Sequence, residues 1–133
     1  MSALRAVLDT NILVSAFLSP SGKPAKIYRV FLAGTLDFVI NAEIIAEYDD
    51  VLHRPRLRLP LTDVEVALSA IKQYAITIAT ESSTFAMPDE DDRVFYDTAK
   101  TANAYLITGN VKHYPQEAFI LTPAEFLALG VIR

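Results

Sequence analysis

Apolar positions along this chain follow two rhythms that alternate from one end to the other. Leu4–Leu8 is a short, almost wholly apolar run, the pattern of a strand buried on both faces of a parallel sheet. Ile12 to Leu18 is apolar and helix-compatible, and Ser19-Pro20-Ser21-Gly22 reads as a turn. Pro24 suits the first turn of a helix that runs through Leu32 and is ended by Gly34. A second strand is predicted at Phe38–Ile40. Asn41 is a good N-cap for a helix from Ala42 to Leu52, with Ile44, Ile45, Tyr48, Val51 and Leu52 as its apolar stripe.

The stretch from His53 to Pro60 cannot be helical throughout, because Pro55 and Pro60 each disfavour helix before them. Thr62, with Glu65 three residues on, predicts a capping box opening a helix to Tyr74. Ile76–Ala79 alternates like a strand, and Glu81–Met87 reads as a polar loop. The acidic run that follows caps a helix from Asp92 to Asn103. Tyr105–Thr108 and Phe119–Leu121 read as strands, and Pro123 starts a last helix. Strand and helix alternate throughout, so the expected fold is α/β, with a central parallel sheet and helices on both faces. The 133 residues contain no repeat, low-complexity tract or linker, and suit one domain over 1–133.

Composition adds constraints. Hydrophobic residues make up 52% of the chain, enough for a core without a staple. The absence of Cys rules out disulfides and thiolate metal sites and fits a reducing cytosol. The N-terminal apolar stretch is cut by Asp9 and Asn11, so it reads as neither a signal peptide nor a membrane span, and a cytoplasmic location without membrane attachment is expected. Twelve Lys and Arg against sixteen Asp and Glu give a net charge of −4, which alone counts against a nucleic-acid partner. Two divalent cations would add about four positive charges and bring the total near zero.

The acids themselves carry the chemistry. In open parallel sheets, sites form beyond the carboxyl ends of the strands. Asp9 follows the first strand and Asn110, in Thr108-Gly109-Asn110, follows a later one. A lone Asp there also serves as a turn former or helix cap. Glu47 stands three residues after Ile44 and four before Val51, on or beside the inward stripe, although a glutamate at the stripe's edge can reach solvent. Asp92 shares a face with Phe95, Ala99 and Ala102 and should point toward the sheet. Asp89–Asp91 are explained by the helix macrodipole alone, at roughly 0.3–1 kcal/mol each. Asp97 lies about 140° around the helix from Asp92 and is kept as a supporting position. An oxygen-rich set of this kind suits Mg²⁺ or Mn²⁺ rather than Zn²⁺. His53 and His113 lack partners at ligand spacing and read as ordinary loop residues. Arg54, Arg56 and Arg58, just past the helix bearing Glu47, are candidates for guiding phosphates, or else form a solvated basic loop; Lys112 is a weaker candidate.

The order Asp9-Thr10-Asn11, helical Glu47, Asp92 at a helix start and Thr108-Gly109-Asn110 resembles the PIN-domain nucleases over essentially the whole chain. Within them it looks most like the toxin components of toxin–antitoxin pairs related to the VapC-like ribonucleases. The resemblance implies Asp9, Glu47 and Asp92 as catalytic metal ligands, Asn11 and Thr108 as supporting polar positions, and one or two Mg²⁺ or Mn²⁺ ions. It further implies hydrolysis of single-stranded RNA to 5′-phosphate and 3′-hydroxyl ends, with an antitoxin protein and a second copy of the chain as candidate partners. One position departs: where the family usually has Thr-Gly-Asp, Asn110 offers a neutral carbonyl in place of the fourth carboxylate, which removes a charge that would help hold a second ion. Two other readings compete. Haloacid-dehalogenase-type phosphatases also place an Asp after the first strand, but have a second Asp where this chain has Asn11. A PIN fold that binds RNA or protein without cutting is the non-enzymatic alternative.

Overall fold

In the computed structural model, which describes residues 4–84 and 86–130, five parallel strands form one sheet in the order β3-β2-β1-β4-β5. They are β1 (Leu4–Leu8), β2 (Leu36–Ile40), β3 (Ile76–Thr77), β4 (Tyr105–Ile107) and β5 (Ile120–Leu121). The helices are α1 (Thr10–Leu18), α2 (Lys23–Leu32), α3 (Ala42–Leu52), α4 (Leu61–Tyr74), α5 (Arg93–Ala102) and α6 (Pro123–Ala128). Helix α5 lies across β1, β2 and β4, whereas α1 and α2 pack on each other and α2 also meets α6, so helices cover both sides of the sheet. The three-layer α/β arrangement expected from the alternation of elements is therefore present. The ends of the expected 1–133 domain, residues 1–3 and 131–133, lie outside the described residues, as does Phe85 in the expected polar loop.

The central strand β1 is buried from Ala6 to Leu8 because it has neighbours on both edges and helices on both sides. Between α2 and β2, Phe31 stacks on Phe38 with centroids 4.1 Å apart. Gly34, at φ +85°, ends α2 in a conformation that favours glycine, as its position after Leu32 suggests. Asn41 caps α3 as expected, its Oδ1 accepting from Ile44 N–H at 2.9 Å. The same side chain donates to Thr98 on α5 at 3.1 Å and to Thr80 at 3.2 Å, which joins the start of α3 to the opposite layer.

The capping box expected at Thr62 and Glu65 is not formed. Helix α4 begins at Leu61, directly after Pro60, so Thr62 is already inside the first turn, and the Glu65 carboxylate meets His53 Nε2 at 2.9 Å instead. His53, read as an ordinary loop residue, also contacts Asp49 at 3.0 Å and so links α3 to α4. A capping box does occur at α6, where Thr122 accepts from Glu125 N–H at 3.1 Å and Glu125 accepts from Thr122 N–H at 2.9 Å. Strands β3, β4 and β5 are each shorter than the apolar runs that signal them. Among the described residues, no helix is long and apolar enough to cross a membrane.

Candidate active site

Asp9 follows directly on β1, and its N–H donates to Ile107 O at 3.0 Å, which places it in the crevice between β1 and β4. The chain builds outward from β1 through β2 and β3 and then returns to the other side of β1. Reversals of this kind open a gap at the carboxyl edge of a parallel sheet. Asp9 is only 7% exposed, and its Oδ2 accepts two O–H donors, Thr108 at 2.8 Å and Tyr114 at 3.2 Å. Two donors on one oxygen fix the carboxylate's orientation and, among the described residues, leave Oδ1 without a hydrogen bond. Thr108 is oriented in turn by the N–H of Asn110, which donates to its Oγ1 at 3.0 Å. Burial, followed by the charges of Asp9 and Asp92, pushes the Tyr114 phenol far above its ordinary range, so it remains a donor.

Glu47 comes from α3. The neighbouring Tyr48 donates its O–H to Leu8 O at 2.6 Å and ties that helix to the end of β1. Glu47 is half-buried there, and its carboxylate accepts a hydrogen bond from the hydroxyl of Thr10, the residue after Asp9. Asp92 ends a 3-10 turn, Glu90–Asp92, that leads into α5; the turn is capped by Asp89, which accepts from Asp91 N–H at 3.0 Å. The Asp92 side chain is 16% exposed. Burial first, then the charges of Asp9 and Asp89 and more weakly Glu47, push its carboxyl up from 3.8 to about 6, against the opposing effect of His113. His113 Nδ1 lies 4.0 Å from Asp92 Oδ2. Acids from the end of β1, from α3 and from the start of α5 thus act on one another at one sheet edge, a repulsive arrangement that a cation relieves.

Residues 5–112 match the family described as PIN domain. The chain belongs to the PIN domain family. The match begins in β1 and extends past β4, so it takes in Asp9, Glu47, Asp92 and Asn110. The chain is also similar to Uncharacterized protein MJ1680 of Methanocaldococcus jannaschii, at 27% identity over 110 residues that make up 80% of this chain and 71% of that protein. PIN domains are typically nucleases, hydrolases that act on RNA and generally use divalent metal ions.

The donor chemistry of this PIN domain fits such an ion: hard carboxylate oxygens, no sulfur, and a buried Asp9 held by two hydroxyls. Among the described residues, no group of three His, Asp or Glu side chains stands close enough together to hold an ion without rearrangement.

The other expected positions are distributed unevenly. Thr108 contacts Asp9 directly. Asn110 is exposed and reaches the site through its backbone; among the described residues its amide side chain has no hydrogen bond. Asn11 is exposed on the first turn of α1. Asp97 is buried but faces the loop before α5, accepting from Ser83 N–H at 2.9 Å. Arg54, Arg56 and Arg58 are all exposed; Arg54 pairs with Asp50 at 3.0 Å, and Arg54 and Arg58 line a separate cleft with Leu52, Leu59 and Val64. Lys112 is exposed in the 3-10 turn Val111–His113.

Tyr114 was not foreseen as part of the site. Its signal was a Tyr four residues after Asn110, since a buried phenol needs a partner. A cleft of about 310 Å³ flanks the acids, sharing Glu47 with them and bounded by Asn41, Thr80, Ser82, Arg93 and Asp97. It does not include Asp9 or Asp92.

Proposed function

We propose that residues 1–133 form one nuclease domain that hydrolyses phosphodiester bonds of single-stranded RNA with Mg²⁺ or Mn²⁺, acting in the cytoplasm as the toxin of a toxin–antitoxin pair. The observation that carries the reading is the buried Asp9 carboxylate at the β1–β4 crevice, oriented by Thr108 and Tyr114 and facing the charges of Glu47 and Asp92. Asp9 and Asp92 would hold the metal through carboxylate oxygens. Glu47, once released from Thr10, would hold an ion or accept a proton from water. A bound Mg²⁺ or Mn²⁺ supplies a nucleophile from water at neutral pH and stabilises charge on the phosphoryl and leaving oxygens. Exposed Lys112, and more remotely Arg54, Arg56 and Arg58, supply the positive charge that the acids lack for a phosphate backbone. An antitoxin protein and a second copy of the chain are the proposed protein partners, by family likeness alone.

The test is cleavage of end-labelled single-stranded RNA by wild type and by Asp9→Asn, in Mg²⁺, in Mn²⁺ and in EDTA. We expect metal-dependent cleavage that leaves 5′-phosphate and 3′-hydroxyl ends and that is lost in the variant. Cleavage persisting in EDTA or in Asp9→Asn would overturn the proposal. The exposed, neutral Asn110 favours one alternative, a PIN domain that binds RNA or protein without cutting; metal and RNA binding without turnover would identify it.

A further inference from the structure

The connection from β3 to α5 is long and, among its described residues, has no regular structure until the turn at Glu90, yet it is pinned at several points to the helix it precedes. Thr80 is held by Asn41 and lies 3.2 Å from Thr98. Ser83 is held at three atoms. Its N–H donates to Asp97 Oδ2 at 2.9 Å, and its carbonyl and hydroxyl accept from Arg93 Nη1 at 3.0 and 2.7 Å. The rest of the Arg93 fork pairs with Glu90, Nε to Oε2 at 2.8 Å and Nη2 to Oε1 at 2.7 Å. One guanidinium therefore ties the middle of the loop to the first residue of the turn that ends in Asp92. The Arg93 side chain is 13% exposed, so its bonds to Ser83 are partly shielded from water, whereas Glu90, at 69%, holds its end of the fork at the surface.

We propose that Arg93 and Asp97 are positioning residues, which grip Ser83 and Glu90 so that the 90–92 turn presents Asp92 to Asp9 and Glu47. This rests on the metal-dependent reading of the acids. Only a planar fork makes all four bonds at once, two to a carboxylate and two to a serine; a lysine ammonium offers three donors from a single atom and cannot reach both ends. Asp97, by contrast, uses one oxygen on a backbone N–H, which an asparagine carbonyl can replace.

The experiment uses the full chain with Arg93→Lys, Arg93→Gln, Asp97→Ala and Asp97→Asn. Three quantities are read: hydrogen exchange at Ser83 and residues 90–92 in the metal-free protein, Mn²⁺ affinity by calorimetry, and the Mn²⁺ concentration giving half-maximal RNA cleavage. Both Arg93 variants and Asp97→Ala should exchange faster in the loop and turn with core protection unchanged. They should bind Mn²⁺ about tenfold more weakly, the cost typical of losing a group that orients a ligand, and should recover cleavage at saturating Mn²⁺. Asp97→Asn should stay close to wild type, and it keeps the test open should Asp97→Ala fail to fold.

A loosened loop with unchanged Mn²⁺ affinity would reduce the clamp to a purely structural role and overturn the proposal. Unchanged exchange in the Arg93 variants would overturn it too. A wild type that binds Mn²⁺ without cleaving RNA would end the functional reading while calorimetry still decides the clamp. A wild type that binds no Mn²⁺ would end both.

Discussion

Replacing Asp92 by Asn should make the metal-free protein more stable. In the folded chain the Asp92 carboxyl stands at about 6 rather than 3.8, so the folded state binds its proton more tightly than the unfolded state does. Stability associated with that proton is fully present below pH 3.8 and is lost as pH rises to about 6. Above that, the ionised group is a fixed penalty. At about 1.4 kcal/mol per pH unit the difference corresponds to an upper bound of about 3 kcal/mol. Asp92 retains some exposure, at 16%, and the repelling charges are partly screened, so about 1 kcal/mol is the expected gain, or roughly 3–5 °C in Tm for a chain of this size. Wild type and Asp92→Asn should be unfolded thermally in EDTA from pH 3.5 to 8. The variant's advantage should be constant above pH 6, narrow below it and nearly disappear below pH 3.8. With Mn²⁺ the order should reverse, because only the wild type gains stability from the ion. A variant no more stable than wild type at pH 7.5 in EDTA would refute the claim that the acids repel one another in the folded state.

Three further outcomes are expected. Asn110→Asp should tighten Mn²⁺ binding and raise cleavage at low metal with little benefit at saturation; calorimetry showing no gain in affinity would place position 110 outside the metal's reach. Tyr114→Phe leaves Thr108 as the remaining side-chain donor to Asp9 Oδ2, and should cost about 1 kcal/mol of stability in denaturant unfolding together with a several-fold loss of Mn²⁺ affinity. Replacing Arg54, Arg56 and Arg58 together with Gln should weaken RNA binding and flatten its salt dependence; an identical slope in a binding titration would return that loop to solvent.

The layered fold was legible because buried parallel strands and amphipathic helices leave opposite periodicities, as in Leu4–Leu8 against the stripe of Ile44, Tyr48 and Leu52. The cap at Asn41 was legible for a local reason, since its bond to Ile44 spans only three residues. The Thr62 box failed because the Thr-x-x-Glu spacing does not by itself fix where a helix begins, and the helix starts two residues earlier, with Pro60 at the N-cap position. Asp92 was placed on the inward face of α5, whereas a 3-10 turn delivers it to the sheet edge from just before the helix. Long-range partners left no periodic trace. The bonds from Thr108 and Tyr114 to Asp9 cross 99 and 105 residues, and the Asp97 contact with Ser83 depends on the course of an irregular loop.

Those long separations also bear on when the protein can act. Its three acids are all translated before the two hydroxyls that orient Asp9, and β4, which walls the crevice, comes later than any of them. A nascent chain that has reached α5 carries the acids without the strand that would gather them, and sheets paired across such distances form late. On the proposed reading of the acids, the site therefore cannot assemble on a growing chain until β4 has cleared the ribosome, which keeps the messenger being read from meeting the gathered acids at the end of its own product.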